Sequence, residues 1–263
     1  MKRIAAVVVA LAFVSEVHAG ITYRFESVTE AASPHVFTGV VKADQGKVRM
    51  EVVSGADAQL IFEKGSVVLS SSGSGILTVL NPSKKTYYEM DLGHLLAGAA
   101  TFMSTPYAKI DVKNPRVSVS KKGSGGSLQG FPTTRSTIDS SFDMVLKMMG
   151  ETKPPIRLSM TTEVWSTDRL PATAANVIES IRVRTGVESL DKMIDAQTSG
   201  VVGFPLKQVT TTRITMNGST TTGRTRSQVT DIRQSSFAAS EFAVPAGFTK
   251  VDNPLEAKLN ELR

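Results

Sequence analysis

In KVRMEVV, residues 47 to 53, apolar Val48, Met50 and Val52 alternate with Lys47, Arg49 and Glu51. A period of two belongs to a strand with one buried and one wet face. QLIFEKGSVVLSSS predicts a hairpin turning at Lys64-Gly65. GILTVLNPSKKTYYEMD predicts a second, with a strand to Leu80, a turn at Asn81-Pro82-Ser83 and a strand from Thr86. RVSVSKKGSGGSLQGFPTTRSTID reads as two strands around a Gly/Ser-rich loop, and IRLSMTTEVWST as another strand. Short strands at near-regular spacing predict a large antiparallel sheet rather than βαβ units. Helical spacing is rarer. In 91–104, Leu92, Leu95, Leu96, Ala99, Phe102 and Met103 fall on one side. SFDMVLKMMG (141–150), ESLDKMIDAQTSG (188–200, stopping at Gly200) and the closing PLEAKLNELR are expected to be short helices. No long linker or repeat divides the chain, so residues 20–263 are expected to form one domain.

Gly-Phe-Pro occurs twice, at 130–132 and 203–205. Each copy reads as the start of a strand, where Pro is tolerated and Phe anchors. Downstream of the second, Asn217-Gly218 signals a two-residue hairpin turn. Met216 then faces Ser219, Arg213 faces Thr222, Thr211 faces Arg224, and Val209 faces Arg226. That register puts Arg213, Arg224 and Arg226 on one face and Leu206, Ile214, Met216 and Val229 on the other. The arginine face is either a solvated surface protected by charge or a basic stripe that docks an anionic lipid surface or an envelope protein.

Residues 1–19, MKRIAAVVVALAFVSEVHA, carry Lys2 and Arg3, then an apolar run from Ile4 to Val14, then small residues at Val17-His18-Ala19. This pattern predicts a secretory signal peptide; the run is short for a bilayer span, and a short anchor is the alternative. No later stretch is apolar enough to be a transmembrane helix. The chain is therefore expected to be exported, most simply to the periplasm. With no cysteine, disulfides, thiolate metal sites and a lipidated N-terminal Cys are ruled out. The formal net charge of +6 suits solubility or an anionic partner. Without a Lys/Arg run interleaved with aromatics, nucleic acid is not an expected partner.

Chemistry is hard to find. Beyond residue 19 the histidines are His35 and His94, without HExxH or metal-ligand spacing, and GxSxG, GxGxxG and Walker-type loops are missing. We therefore expect no catalytic residues, metal or cofactor, although carboxylates from distant strands could still converge. What the chain offers is flexible apolar side chains: Leu95, Leu96, Phe102, Met103, Met144, Met148, Met149 and Met193. Methionines adapt to variable hydrophobic ligands, or they simply fill gaps beneath helices.

GKVRMEV, ILTVLNPSKKTYYEMD, LQGFPTT, TEVWSTDRLP, GFPLK and FAASEFAVPAGFTKV follow one another in an order that resembles a family of exported bacterial domains without assigned function. That family is similar to the periplasmic lipoprotein carriers of the LolA/LolB type, and the resemblance runs from about residue 21 to 252. It implies an unclosed, curved antiparallel half-barrel with short helices covering its concave face and an acyl chain held between them. The ligand residues would be Leu95, Leu96, Phe102, Met103, Met148 and Met149. Arg49 matches most nearly an arginine that latches the carriers' lid; on an alternating strand it can equally face solvent.

Overall fold

The computed structural model describes residues 20–30, 34–55, 62–91, 104–105, 108–148, 151–172, 187–254 and 256. The strands are β1 (Gly20–Glu30), β2 (His35–Asp44), β3 (Lys47–Ser54), β4 (Val67–Ser71), β5 (Ile76–Asn81), β6 (Thr86–Asp91), β7 (Ser104–Thr105), β8 (Ala108–Leu128), β9 (Phe131–Met148), β10 (Glu151–Thr152), β11 (Ile156–Thr167), β12 (Phe204–Met216), β13 (Ser219–Ser235) and β14 (Thr249–Lys250). All belong to one sheet, in the lateral order β14-β6-β5-β4-β3-β2-β1-β13-β12-β11-β9-β8-β7, with β10 on β9. Every pairing is antiparallel except β14 with β6. The fold is mostly β: an open, curved sheet whose end strands do not meet.

Alternation decides which face is buried. Val48, Met50 and Val52 on β3 are almost fully buried, as are Val41 and Ala43 on β2 and Ile21 and Tyr23 on β1. They join Leu77, Val79, Met90, Phe204 and Leu206 in the main core, and burying each large apolar side chain contributes about 1.5–3 kcal/mol. The Tyr23 and Phe204 rings meet edge-on at 5.3 Å. We call this side of the sheet the core face.

On the outer face a smaller cluster of Val67, Leu69 and Leu80 is covered by Val244 and Phe248 from the C-terminal segment. That strap contains a 3-10 turn (Ala239–Phe242), is held by the Lys42–Glu241 ion pair, and then runs along β6. There Thr249 N–H donates to Lys85 O and Val251 N–H to Tyr87 O, covering that edge of the sheet. At the opposite edge, among the described residues, β7 pairs with Ala108 and Lys109 of β8. The rest of β8 carries Lys113, Pro115, Arg116, Lys121 and three register irregularities, features that discourage edge-to-edge pairing.

Three sequence expectations need correction. Residues 141–148 are the end of β9, not a helix: Phe142, Met144 and Leu146 alternate with Asp143, Val145 and Lys147, and pairing with β8 and β11 outweighs the helix propensity of Met and Leu. The Gly/Ser tract is not the turn. β8 runs through it with bulges, and the chain reverses at Gln129-Gly130, both at positive φ (52° and 81°). Before the turn at Lys64-Gly65, Phe62 and Glu63 are not in a strand and Phe62 sits buried in the main core, while residues 59–61 lie outside the described residues. The turn itself holds, with Gly65 at φ 81° and its N–H bonded to Val52 O. Of the predicted helix at 91–104, Asp91 ends β6 and Ser104 begins β7; residues 92–103, nearly all of the closing PLEAKLNELR, and residues 1–19 lie outside the described residues.

Candidate functional site

The helix that the sequence places at 188–200 is α1 (Glu188–Ser199). Leu190, Met193 and Ile194 give it an apolar stripe, while Glu188 and Asp191 in its first turn suit the helix dipole. Met193 is its buried residue. Gly200 ends it in right-handed geometry (φ −78°), so glycine is required here for space rather than for backbone freedom. A Cβ at Gly200 would stand 2.4 Å from Cγ2 of Val119 on β8. Val119 pairs with Ile138 of β9, and cross-strand partners share a face.

β8 is interrupted where the helix meets it. Its register with β9 shifts between Lys113 and Arg116, and Asn114 takes a positive φ of 53°. Asp143 braces this bulge: one oxygen accepts from Arg157 Nε at 3.0 Å and the other from Asn114 Nδ2 at 2.8 Å. The Arg157 guanidinium, then Asn114, hold the Asp143 carboxyl below the usual carboxylate range. Beside the bulge, Pro115, Arg116, Val117, Glu188, Ser189, Lys192 and Met193 line a cleft of about 360 Å³, a size typical of small-molecule sites. Glu188 and Lys192 neutralise one another at 2.7 Å. Arg116 is exposed, pairs across the sheet with Ser141 on the face of Asp143, and adds a longer-range attraction that helps hold the Asp143 carboxyl low.

The core face continues from this cleft across four strands. Val112, Met144 and Ile156 form one lateral row, and Phe142, Leu158 and Ile214 a second. Val117 and Met160 flank Ser140 in a third. Except for Ile214, which is 41% exposed, these apolar residues are half-buried. Leu206, in the main core, shares the Ile214 face of β12. The apolar surface therefore runs from the packed core out to the cleft.

Of the ligand residues expected from the sequence, Leu95, Leu96, Phe102, Met103 and Met149 lie outside the described residues. Met148 ends β9, paired with Ala108 and Glu151, and does not stand on a helix. Arg49 is on the outer face, and its Nη1 donates to Glu241 O at 3.4 Å; it holds the C-terminal strap. The hairpin register of the sequence analysis is the observed one, from Met216↔Ser219 to Val209↔Arg226, with Asn217 and Gly218 both at positive φ. Arg213, Arg224 and Arg226 are exposed on one face. Arg224 approaches Glu30 at 3.7 Å, whereas Arg213 and Arg226 have no ion pair among the described residues. Leu206 and Val229 pack inward as expected, but Ile214 and Met216 (52% exposed) do not, because they lie beyond the core at the hairpin's far end.

Sequence reasoning missed Pro115, Arg116 and Val117. The signal was Asn114-Pro115 inside a strand-like run, since Pro within a strand marks an edge or a bulge. Among the described residues no group of three or more His, Asp or Glu could hold a metal ion, and no helix is long and apolar enough to cross a membrane.

The sequence matches no protein-family model and none of the curated proteins. Among solved structures the chain aligns with an uncharacterized conserved protein from Thermus thermophilus, at 9% identity over 88% of this chain and 89% of that one, with a TM-score of 0.35. It aligns with the LolA superfamily protein NE2245 from Nitrosomonas europaea at 10% identity over 86% and 90%, TM-score 0.32. It also aligns with PNGF-II at 12% identity over 91% of this chain but 32% of that one, TM-score 0.36.

Proposed function

We propose that this chain binds a hydrophobic or acyl-chain ligand on the core face of its open sheet, beneath the helix, and serves in the periplasm as a carrier of lipid or lipoprotein. The observation that carries the reading is the half-buried apolar surface around Phe142, Leu158, Met160 and Val117, which joins a cleft of ligand size. A closed barrel would hide such a surface, whereas an open sheet leaves it available. The neutral dye N-phenyl-1-naphthylamine tests the reading. Saturable fluorescence enhancement is expected, strongly weakened by Val117→Asp and by Met160→Asp while the far-ultraviolet β signal stays. Unsaturable fluorescence, or saturable binding indifferent to both changes, contradicts the site.

A second reading rests on the outer face. Exposed Arg213 and Arg226 without ion pairs, alongside Arg224, favour docking to an anionic lipid surface or envelope protein. Binding to phosphatidylglycerol vesicles should then fall steeply with salt and disappear when all three become Ser, with dye uptake unchanged. Vesicle binding that survives the triple change sinks this reading.

A further inference from the structure

We infer that the guest of the core face carries an uncharged head rich in oxygen, as a monoacylglycerol does. Its chain lies on the apolar residues of β9 and β11, and its head on a strip of hydroxyls that continues the same face across β12, β13 and β1. This rests on the hydrophobic-ligand reading above and adds the head group to it. Cross-strand partners share a face, and the register sorts the charges. Every charged residue of β9, β11, β12 and β1, and of β13 from Ser219 to Val229, lies on the outer face, as Asp139, Glu163, Arg213 and Arg226 do. One lateral row of the core face shows the change from chain surface to head surface: Val119, Ile138, Thr162, Thr210, Thr225 and Thr29 follow one another from β8 to β1. In the next row Ser227 pairs with Ser27. The Thr162 and Thr210 hydroxyls meet at 3.0 Å and those of Thr29 and Thr225 at 3.3 Å, while Ser227 donates to Ser27 at 3.1 Å. All six residues are half-buried. In each pair one hydroxyl uses its hydrogen, the other keeps its own, and lone pairs remain on both. Such a strip donates to an ester carbonyl and accepts from glycerol hydroxyls.

An ionised head meets no counter-charge on this strip, and covering it would leave a buried charge unpaired. Lys121, across from Ser136, is exposed on β8, two strands from Thr162. The helix α1 offers an anion nothing, since Glu188, Asp191 and Asp195 outnumber Lys192, which is bonded to Glu188 at 2.7 Å. A bare hydrocarbon would instead cover the remaining hydroxyl donors and leave them without partners.

The test is displacement of bound N-phenyl-1-naphthylamine by 1-monodecanoylglycerol and by decanoate at neutral pH. Thr162→Val combined with Thr210→Val keeps the branched shape and removes one hydroxyl pair. This double variant should weaken monodecanoylglycerol by about tenfold, the size of one or two hydrogen bonds, and leave decanoate, held by its chain alone, within about twofold. Ser27→Ala combined with Ser227→Ala should repeat the pattern at the second pair. Equal losses for both competitors, or no loss for monodecanoylglycerol in either double variant, overturn the neutral-head assignment while the hydrophobic site stands. Failure of the dye to bind the unaltered protein at all removes the hydrophobic-ligand reading, and this inference with it.

Discussion

Gly200 and Val119 are in contact without room for one more carbon: a Cβ on Gly200 would lie 2.4 Å from Val119 Cγ2 and 2.9 Å from Cγ1. The end of α1 is thus fixed against β8 by the smallest residue available, and this contact sets how closely the helix covers the sheet. Gly200→Ala is compatible with the backbone (φ −78°), so its penalty is steric. Overpacking of this kind costs about 1–3 kcal/mol. Val119→Ala in the same chain should recover most of the loss, as a double-mutant cycle on urea midpoints would show. Additive losses would mean that Gly200 matters for some reason other than this contact.

A second close approach places the only tryptophan. Gly125, in the bulged end of β8, would bring a Cβ to 2.7 Å from Trp165 Cδ1 and 2.6 Å from Thr133 Oγ1. The indole is flanked by Lys207 at 4.6 Å and Arg135 at 5.1 Å from the ring. Gly125→Ala should therefore shift the fluorescence of Trp165 and lower stability by about 1–3 kcal/mol. An unchanged emission spectrum would contradict the packing of the Gly/Ser tract over Trp165.

These two glycines show what could be read in the sequence. Period-two alternation in β3 and the Asn217-Gly218 turn are local signals, and both led to the observed strand and register. The 188–200 helix and its stop at Gly200 were equally legible, though the reason for the stop was not, since Val119 is distant in sequence. Residues 141–148 misled because their Met and Leu content suits a helix while their partners, β8 and β11, are not neighbours in the chain. The Gly/Ser tract looked like a loop because the sequence does not say that Trp165 needs a flat backbone beside it. Arg49 was correctly placed opposite the core residues of β3, but its partner Glu241 comes from a strap nearly two hundred residues away. The cleft was invisible for the same reason: α1 and the Asn114-Pro115 bulge meet only in the fold.

Asp143 predicts the pH behaviour of the bulge. Its carboxyl is held low by Arg157 and Asn114, so the stabilisation is present above the unfolded value of about 3.9 and is lost as pH falls through the folded value. Arg157 is largely exposed, and solvent screening keeps the expected cost of Asp143→Asn at neutral pH to about 1 kcal/mol. The difference between the two proteins should shrink as pH falls below about 3.9. Urea midpoints measured across that range decide the matter; a gap that stays constant in acid would show that the ionised carboxylate is not what braces β8.

At Gly203 the backbone itself leaves no choice. Its φ is +90°, and a Cβ would come within 2.4 Å of Thr167 O. Strain and a backbone clash act together, so Gly203→Ala should cost about 2–4 kcal/mol, high among single substitutions. Thermal or urea unfolding measures it. A loss below about 0.5 kcal/mol, the level of an ordinary surface change, would mean that Phe204 enters the core by a different path.

The central claim is that the open sheet holds a hydrophobic guest, and native mass spectrometry tests it most directly. Protein purified from the cell envelope, and a second sample incubated with decanoate, should each show a one-to-one mass increment that organic extraction removes. A single mass equal to that of the bare polypeptide in both samples would contradict the account.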